Sequence, residues 1–250
     1  MNPSDVLTPQ VSVLLPAYNA EAFLARAIHS VRNQTFTEWE LLVVDDGSVD
    51  GTAALAKAEA ERDPRVFAYS SQRNMGAAAA RNLALEHARG RYIAFIDADD
   101  EWLPQKLEAQ LAHLQETGAS LGYSGFWRVI DGQRRRVNVP EQVTRDQLLY
   151  GNVIGCLTAI YDSAVLGKTR MPDFALSHDY ALWLDLLEHG PALGINQPLA
   201  IYHRQERSLS SNAWHSAKGT WGIYRNYLKM SRRDAARCLS AHLLKRTFRG

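Results

Sequence analysis

The chain has 250 residues, 46% apolar and 22% charged, a make-up that allows one large globular domain or a domain with an appendage. No apolar stretch approaches bilayer-spanning length, Met1 to Asp5 lacks the basic-then-apolar pattern of a signal peptide, and Cys156 and Cys238 have no metal or redox spacing, which predicts packing thiols in a reducing compartment. The net charge of +1 hides an asymmetry: from Lys218 onward nine basic residues face one acid, Asp234, while the preceding chain carries a net −7.

Strand and helix signals alternate through the first hundred residues. Val11 to Leu15 reads as a strand stopped by Pro16, and Ala20 to Val31 as an amphipathic helix. Trp39 to Val44 is a second strand running into Asp45-Asp46-Gly47-Ser48, and a helix from Asp50-Gly51-Thr52 to about Arg62 takes Asp50 or Ser48 as N-cap. Val66 to Tyr69 is a short third strand, Met75 to Ala88 an alanine-rich helix broken at Gly90, and Tyr92 to Ile96 a fourth strand. Pro104 introduces a helix over Lys106 to Thr117. Beyond it the pattern predicts a strand over Leu121 to Ile130, a basic turn at Gly132 to Arg136 and a helix near Arg145 to Tyr150. A strand around Leu157 to Tyr161, a helix from Asp179 to His189, a strand near Leu199 to His203 and a helical last forty residues complete the series. Repeated βαβ units predict a mainly parallel, Rossmann-like sheet with helices on both faces.

The fourth strand ends in Asp97-Ala98-Asp99-Asp100. Open α/β sheets bind ligands just outside the carboxyl ends of their strands. Carboxylates crowded there repel one another, and a hard divalent cation shared with substrate phosphates relieves that repulsion. The three longer strands all end in loops with candidate ligand groups, Pro16 to Asn19, Asp45 to Ser48 and Asp97 to Asp100, as a nucleotide-binding crevice requires.

Neither Gly-x-Gly-x-x-Gly nor Gly-x-x-x-x-Gly-Lys follows the first strand, which argues against a dinucleotide oxidoreductase or a P-loop enzyme. A strand ending in Asp-x-Asp also resembles the nucleophile loop of haloacid-dehalogenase-type phosphatases. There the pair sits on the first strand and leads into Thr or Val, whereas here it lies on the fourth and Glu101-Trp102 follows. A noncatalytic sugar-binding module would not need Asp97, Asp99 and Asp179 together. No recognised nucleic-acid-binding motif is present.

The motifs Val11-Ser12-Val13-Leu14-Leu15-Pro16-Ala17-Tyr18-Asn19, Gln34-Thr35-Phe36, Glu40 to Thr52, Asn74-Met75-Gly76, Ala80-Arg81-Asn82 and Gly90 to Asp100 together resemble a family-2 glycosyltransferase of the GT-A fold. The C-terminal half, with Tyr202 to Ser211 and Trp221 to Tyr227, is similar to enzymes that build bacterial surface polysaccharides of the teichuronic-acid type. The resemblance implies a GT-A domain over residues 1–212, with a nucleotide-binding half at 8–103 and an acceptor half at 104–212, then a basic helical extension at 213–250.

Roles implied by the resemblance follow position by position. Pro16, Ala17 and Tyr18 line the nucleotide pocket, Asp46 accepts a base N–H, and Asp45 anchors its loop. Arg81 is placed to reach the base or a phosphate. Asp97 and Ala98 border the nucleotide sugar, Asp97 contacts the ribose or a metal-bound water, and Asp99 ligates Mn²⁺ or Mg²⁺. Asp100 is expected to cap the next helix. Asp179 in Ser177-His178-Asp179-Tyr180 is the candidate base, against the plainer reading of a helix N-cap. His178 replaces the usual Glu. In Tyr202-His203-Arg204-Gln205-Glu206-Arg207, Arg204 is the first candidate for the diphosphate, His203 the second for metal, and Arg207 a third. The expected partners are a nucleotide-sugar donor, a UDP-sugar favoured, and a glycan or lipid-linked acceptor, with no nucleic acid. The expected location is the cytoplasm. The basic C-terminus reads either as a solvated face or as peripheral attachment to the inner face of the membrane, with Trp221, Tyr224, Tyr227 and Phe248 as interfacial anchors.

Overall fold

A computed structural model of the chain describes residues 8–174, 176–204 and 213–247, with side chains in the last segment described over 216–244. Arg207 and Phe248 lie outside the described residues, as do the side chains of Lys245 and Arg246.

The first half alternates β1 (Val11–Ala17), α1 (Leu24–Arg32), β2 (Trp39–Asp45), α2 (Thr52–Arg62), β3 (Val66–Ser70), α3 (Ala77–His87) and β4 (Tyr92–Phe95). All seven residues of β2 are buried, as befits a central parallel strand covered on both faces. Pro16 does not stop β1: it sits in register with Val44 near the strand's carboxyl end, where a missing N–H is tolerated. α1 begins four residues later than the apolar pattern suggests, because Ala20 O accepts from both Phe23 N and Leu24 N and closes a turn first. Asp50 stabilises the start of α2 from just outside it, accepting from Thr52 N at 3.0 Å.

The second half contains β5 (Glu101–Trp102), α4 (Lys106–Thr117), β6 (Leu121–Ile130), β7 (Gln133–Val137), β8 (Gln142–Val143), α5 (Arg145–Leu149), β9 (Ile160–Asp162), α6 (Ser163–Leu166), α7 (His178–Leu186) and β10 (Ala192–His203). Gln133 to Val137 is a strand rather than a turn, paired antiparallel with β6. β10 is much longer than the apolar run Leu199 to His203 predicts, since the preceding segment, interrupted by Asn196, Gln197 and Pro198, also pairs with β6 and β8. The described residues form one ten-stranded sheet ordered β3-β2-β1-β4-β9-β6-β10-β5, with β7 beside β6 and β8 beside β10. β1 to β4 run parallel, and β9 alone separates them from β6 and β10, which point the same way. The carboxyl ends of β1, β2, β4, β6 and β10 therefore share one edge.

Alternation along β1 sends Val13 and Leu15 to a core with Leu24, Ile28, Leu107 and Leu111, and Leu14 to a core with Phe95, Tyr161, Tyr180 and Trp183. Phe95 meets Trp183 edge-on at 5.4 Å, fastening α7 to the sheet. On the other face α4 carries a fully buried Lys106, whose Nζ donates to Gln110 Oε1 at 2.6 Å and lies 4.0 Å from the Trp102 ring centre.

The C-terminal residues form α8 (Ala213–Gly222), a wide helical turn at Ile223–Tyr227 and α9 (Arg232–Thr247). Ile223, Tyr224, Ala235 and Cys238 join the core that contains Tyr180 and Trp183. The Tyr224 hydroxyl donates to Leu149 O at 2.6 Å and lies 2.9 Å from that of Tyr180. Tyr224 is thus a core residue and not an interfacial anchor. Tyr227 is exposed at its ring and donates to Asp185 Oδ2 at 2.6 Å. Arg232 and Arg233 face solvent.

Candidate active site

Loops at the shared edge are tied to one another before any ligand enters. Asn19 adopts a left-handed conformation (φ 47°), donates its N–H to Ser48 Oγ at 2.9 Å and accepts from Val49 N at 3.0 Å through Oδ1. Gly47 also lies in the left-handed region at φ 72°, and a Cβ there would come within 2.7 Å of the Arg73 backbone. Glycine is needed here on both counts.

Pro16 and Ala17 end β1 on this edge, and Tyr18 beyond them is 49% exposed. Asp46 is buried, with Oδ1 accepting from Met75 N at 2.9 Å and Oδ2 from Gly76 N at 2.7 Å. Its carboxylate therefore fixes the entry to α3, and any base N–H would share an oxygen already holding a backbone bond. Asp45 accepts from Ser48 N, closing its own loop.

After β4, three carboxylates stand close together. Asp97 pairs with the guanidinium of Arg81, a buried residue on α3. Arg81 donates its other terminal nitrogen to His178 Nε2 at 2.6 Å, which joins the acidic loop to the start of α7. Arg81 is held cationic because Asp97 and Asp179 outweigh the cost of its burial. His178 is pushed below the ordinary histidine value by burial and by Arg81. Asp179 is the next residue, in the first turn of α7.

Asp99 is raised above the usual carboxylate range by burial and by Asp97. Asp100 is 1% exposed and raised further by burial, Asp97 and Asp99. Its Oδ1 accepts from His203 N at 3.0 Å, and Oδ2 is buried without a hydrogen-bond partner. Asp100 does not cap α4, which starts six residues later with Gln105 before it. Its place is under the loop, holding β10 against β5. His203 Nε2 lies 2.6 Å from Glu101 Oε1, so coordination by this ring would fall to Nδ1. Arg204 is exposed, with its N–H donating to Val129 O at 3.1 Å.

This donor set suits a hard divalent cation: only carboxylate oxygens, two of them raised by mutual repulsion and burial, and one orphaned oxygen. Among the described residues no three His, Cys, Asp or Glu side chains converge into a metal cage. A cation here would need oxygens from a substrate.

Two contributors escape the sequence motifs. Arg26 on α1 donates to Asp99 O at 2.8 Å and pairs with Glu101 at 3.3 Å, and nothing local marks an arginine seventy residues upstream. Cys156 sits within the field of Arg81, Asp97, Asp179 and Asp100, and burial pushes its thiol well up. The loop around Asn152 to Thr158 reads from sequence as one of those that select the donor sugar, but nothing in it marks the thiol's own place beside Arg81.

Strand order, edge loops and the acidic turn after β4 define a glycosyltransferase of the GT-A class. The fold matches the crystal structure of S. aureus TarS 1-349 in complex with UDP-GlcNAc, at a TM-score of 0.73 and 21% identity over 94% of this chain and 71% of that one. It also matches the mannosyltransferase PcManGT from Pyrobaculum calidifontis in complex with GDP-Man and Mn²⁺, at a TM-score of 0.67 and 20% identity over 93% of this chain and 68% of that one. The family model for glycosyl transferase family 2 matches residues 12–161, and the chain belongs to that family. TuaG of Bacillus subtilis (strain 168), named for teichuronic acid biosynthesis, is 39% identical over 92% of this chain and 93% of its own. The Escherichia coli UDP-Glc:alpha-D-GlcNAc-diphosphoundecaprenol beta-1,3-glucosyltransferase WfgD is 35% identical over 88% and 87%. The protein is accordingly a glycosyltransferase.

Proposed function

We propose that the enzyme transfers a sugar from a nucleotide donor, a UDP-sugar favoured, to a hydroxyl of a glycan or lipid-linked acceptor in bacterial surface polysaccharide synthesis, with inversion. The observation that carries this reading is the chain of contacts from Asp97 in the acidic loop through Arg81 and His178 to the start of α7, where Asp179 is the next residue and, like Asp97, acts on Arg81. Inversion by single displacement needs one base and no covalent nucleophile, and Asp179 would take the acceptor proton, an effect worth roughly 10²–10⁴-fold. The reaction named for WfgD, from UDP-Glc to a β-linked product on a diphosphoundecaprenol acceptor, supports both inversion and a lipid-linked acceptor.

Asp99 and Asp97, with His203 as an outer candidate, would hold Mn²⁺ or Mg²⁺, which when bound neutralises charge on the departing diphosphate. Arg81 keeps Asp97 oriented, and Pro16, Ala17, Tyr18, Asp46 and Ala98 would border the nucleotide, with Arg204 on the diphosphate side. We assign residues 1–212 to donor and acceptor binding and 213–250 to an extension that would touch the inner face of the membrane from the cytoplasm.

The test is release of nucleoside diphosphate from UDP-, GDP- and dTDP-sugars with Mn²⁺ or Mg²⁺. One donor is expected to turn over only with metal, Asp99→Asn to abolish turnover and Asp179→Asn to cut it by at least about a hundredfold. Full activity of Asp179→Asn, or turnover in chelator, would reject the assigned roles.

A further inference from the structure

β6 is one strand with two environments. Its first half, Leu121 to Gly125, is buried beside β9 and β10. Its second half, Phe126 to Ile130, leaves β9 and pairs with β7, whose residues Arg134, Arg135 and Arg136 are exposed. The resulting ribbon turns at Asp131-Gly132 and projects from the edge that bears Asp97 to Asp100. Among the described residues no carboxylate pairs with Arg134, Arg135 or Arg136. Arg136 donates through one terminal guanidinium nitrogen to Asn196 O at 2.7 Å, which holds one end of its fork while leaving its charge without a carboxylate.

Register decides which way the ribbon's charge looks. Residues opposite one another in a sheet lie on the same face. Val129 is opposite both Arg134 and His203, and Trp127 is opposite both Arg136 and Ile201. His203, Val129 and Arg134 therefore form one row across three strands, and Ile201, Trp127 and Arg136 the next. The first row starts at the residue whose N–H is bonded to Asp100 and whose ring touches Glu101. Two strand spacings, about 10 Å, separate His203 from Arg134.

An outer strand rich in charge also protects a sheet edge from unwanted pairing, but that role needs no particular row. Arginine's planar fork matches phosphate oxygens in pairs, and Trp127, beside Arg136 in the second row, offers a flat face. We propose that Arg134 and Arg136 form a phosphate-binding subsite that grips the diphosphate of the acceptor. The proposal rests on the transferase reading and deepens it: the acceptor carries a phosphate group a short distance from the hydroxyl that attacks. Arg135, opposite Arg128 on the reverse face, is outside the subsite.

The test titrates octyl diphosphate into the full-length protein in Mn²⁺ with UDP present, by calorimetry. Saturable binding of one equivalent is expected, weakened at least about tenfold in Arg134→Gln/Arg136→Gln and less in Arg134→Lys/Arg136→Lys, which keeps charge but loses the fork. Unaltered binding in the Gln pair, or equal weakening by Arg232→Gln/Arg233→Gln on α9, would overturn the proposal. So would loss of binding to phosphatidylglycerol vesicles in the Gln pair with octyl diphosphate binding intact, since the ribbon would then serve lipid headgroups. UDP binding is measured in the same samples. Its absence in the unaltered protein rejects the donor reading, while the octyl diphosphate titration still decides the ribbon.

Discussion

Nδ1 of His178 faces the carbonyl of Phe174 at 3.2 Å, so it carries the ring proton and leaves Nε2 as an acceptor for Arg81. In place of the Glu that the family resemblance leads one to expect before Asp179, the chain thus has a neutral acceptor that orients the guanidinium without adding charge. Arg81 Nε is buried and has no hydrogen-bond partner, so its two terminal contacts carry its whole alignment. His178→Ala would strip one of them and lower kcat/KM about tenfold or more, given the usual cost of an unmet buried donor. His178→Gln, which can present an oxygen to Arg81, should recover most of that loss; equal damage in both would mean that the ring only packs. The charged groups facing the ring are Arg81, Asp179 and Asp97, and burial and Arg81 dominate. Because its value in the folded protein lies below 6.5, stability is complete above that pH and falls as the pH drops towards the lowered value. The Ala variant should show a flatter stability profile from pH 7 to 5.

At the scale of single elements, α4 combines a clear sequence signature with an unforeseen interior. Its span was legible as Lys106 to Thr117 from the proline before it and the glycine after it, and Gly118 does end the helix in a left-handed conformation. That Lys106 faces inward was not legible, because a lysine in a first turn ordinarily points to water. Burial lowers it to about 7, with Gln110 and Trp102 as its contacts. The unfolded chain binds this proton up to its ordinary 10.5, so stability is full above that pH and declines as pH falls towards 7. Lys106→Met should remove that slope between pH 7 and 10 and raise the melting temperature near pH 7, as read by thermal denaturation. An unchanged slope would place the amine in contact with water.

β1, β2 and α2 were legible for the same reason as α4, since period and local punctuation agree. The three arginines of β7 were not, because a strand paired on one side only and exposed on both faces has no apolar face to alternate. Within the site, the acidic loop after β4 and the start of α7 were visible as patterns. Contacts of Arg26, Glu101 and Asp100 were not, since each joins segments far apart in the chain.

For the whole molecule, the charge asymmetry acquires a direction. The α9 residues Ala235 and Cys238 are buried, so this helix spends its apolar stripe on the core and offers Arg232 and Arg233 outward. Attachment to a membrane would then be electrostatic, without insertion, at about 1 kcal/mol per basic residue near an anionic surface. Arg232→Gln, Arg233→Gln, Lys245→Gln and Arg246→Gln combined should weaken sedimentation with phosphatidylglycerol vesicles by more than about tenfold, and raised salt should do the same. Binding that survives both treatments would remove the membrane role from the extension.

The seating of Ile223, Tyr224, Ala235 and Cys238 against Tyr180 and Trp183 also sets an order of manufacture. A ribosome completes β1 to β4 and releases them to fold long before these residues emerge. The helix that carries Asp179 receives its outer cover only when Cys238 has been made. A chain stalled before that point would carry the edge loops of the sheet beside an α7 whose outer wall is unfinished.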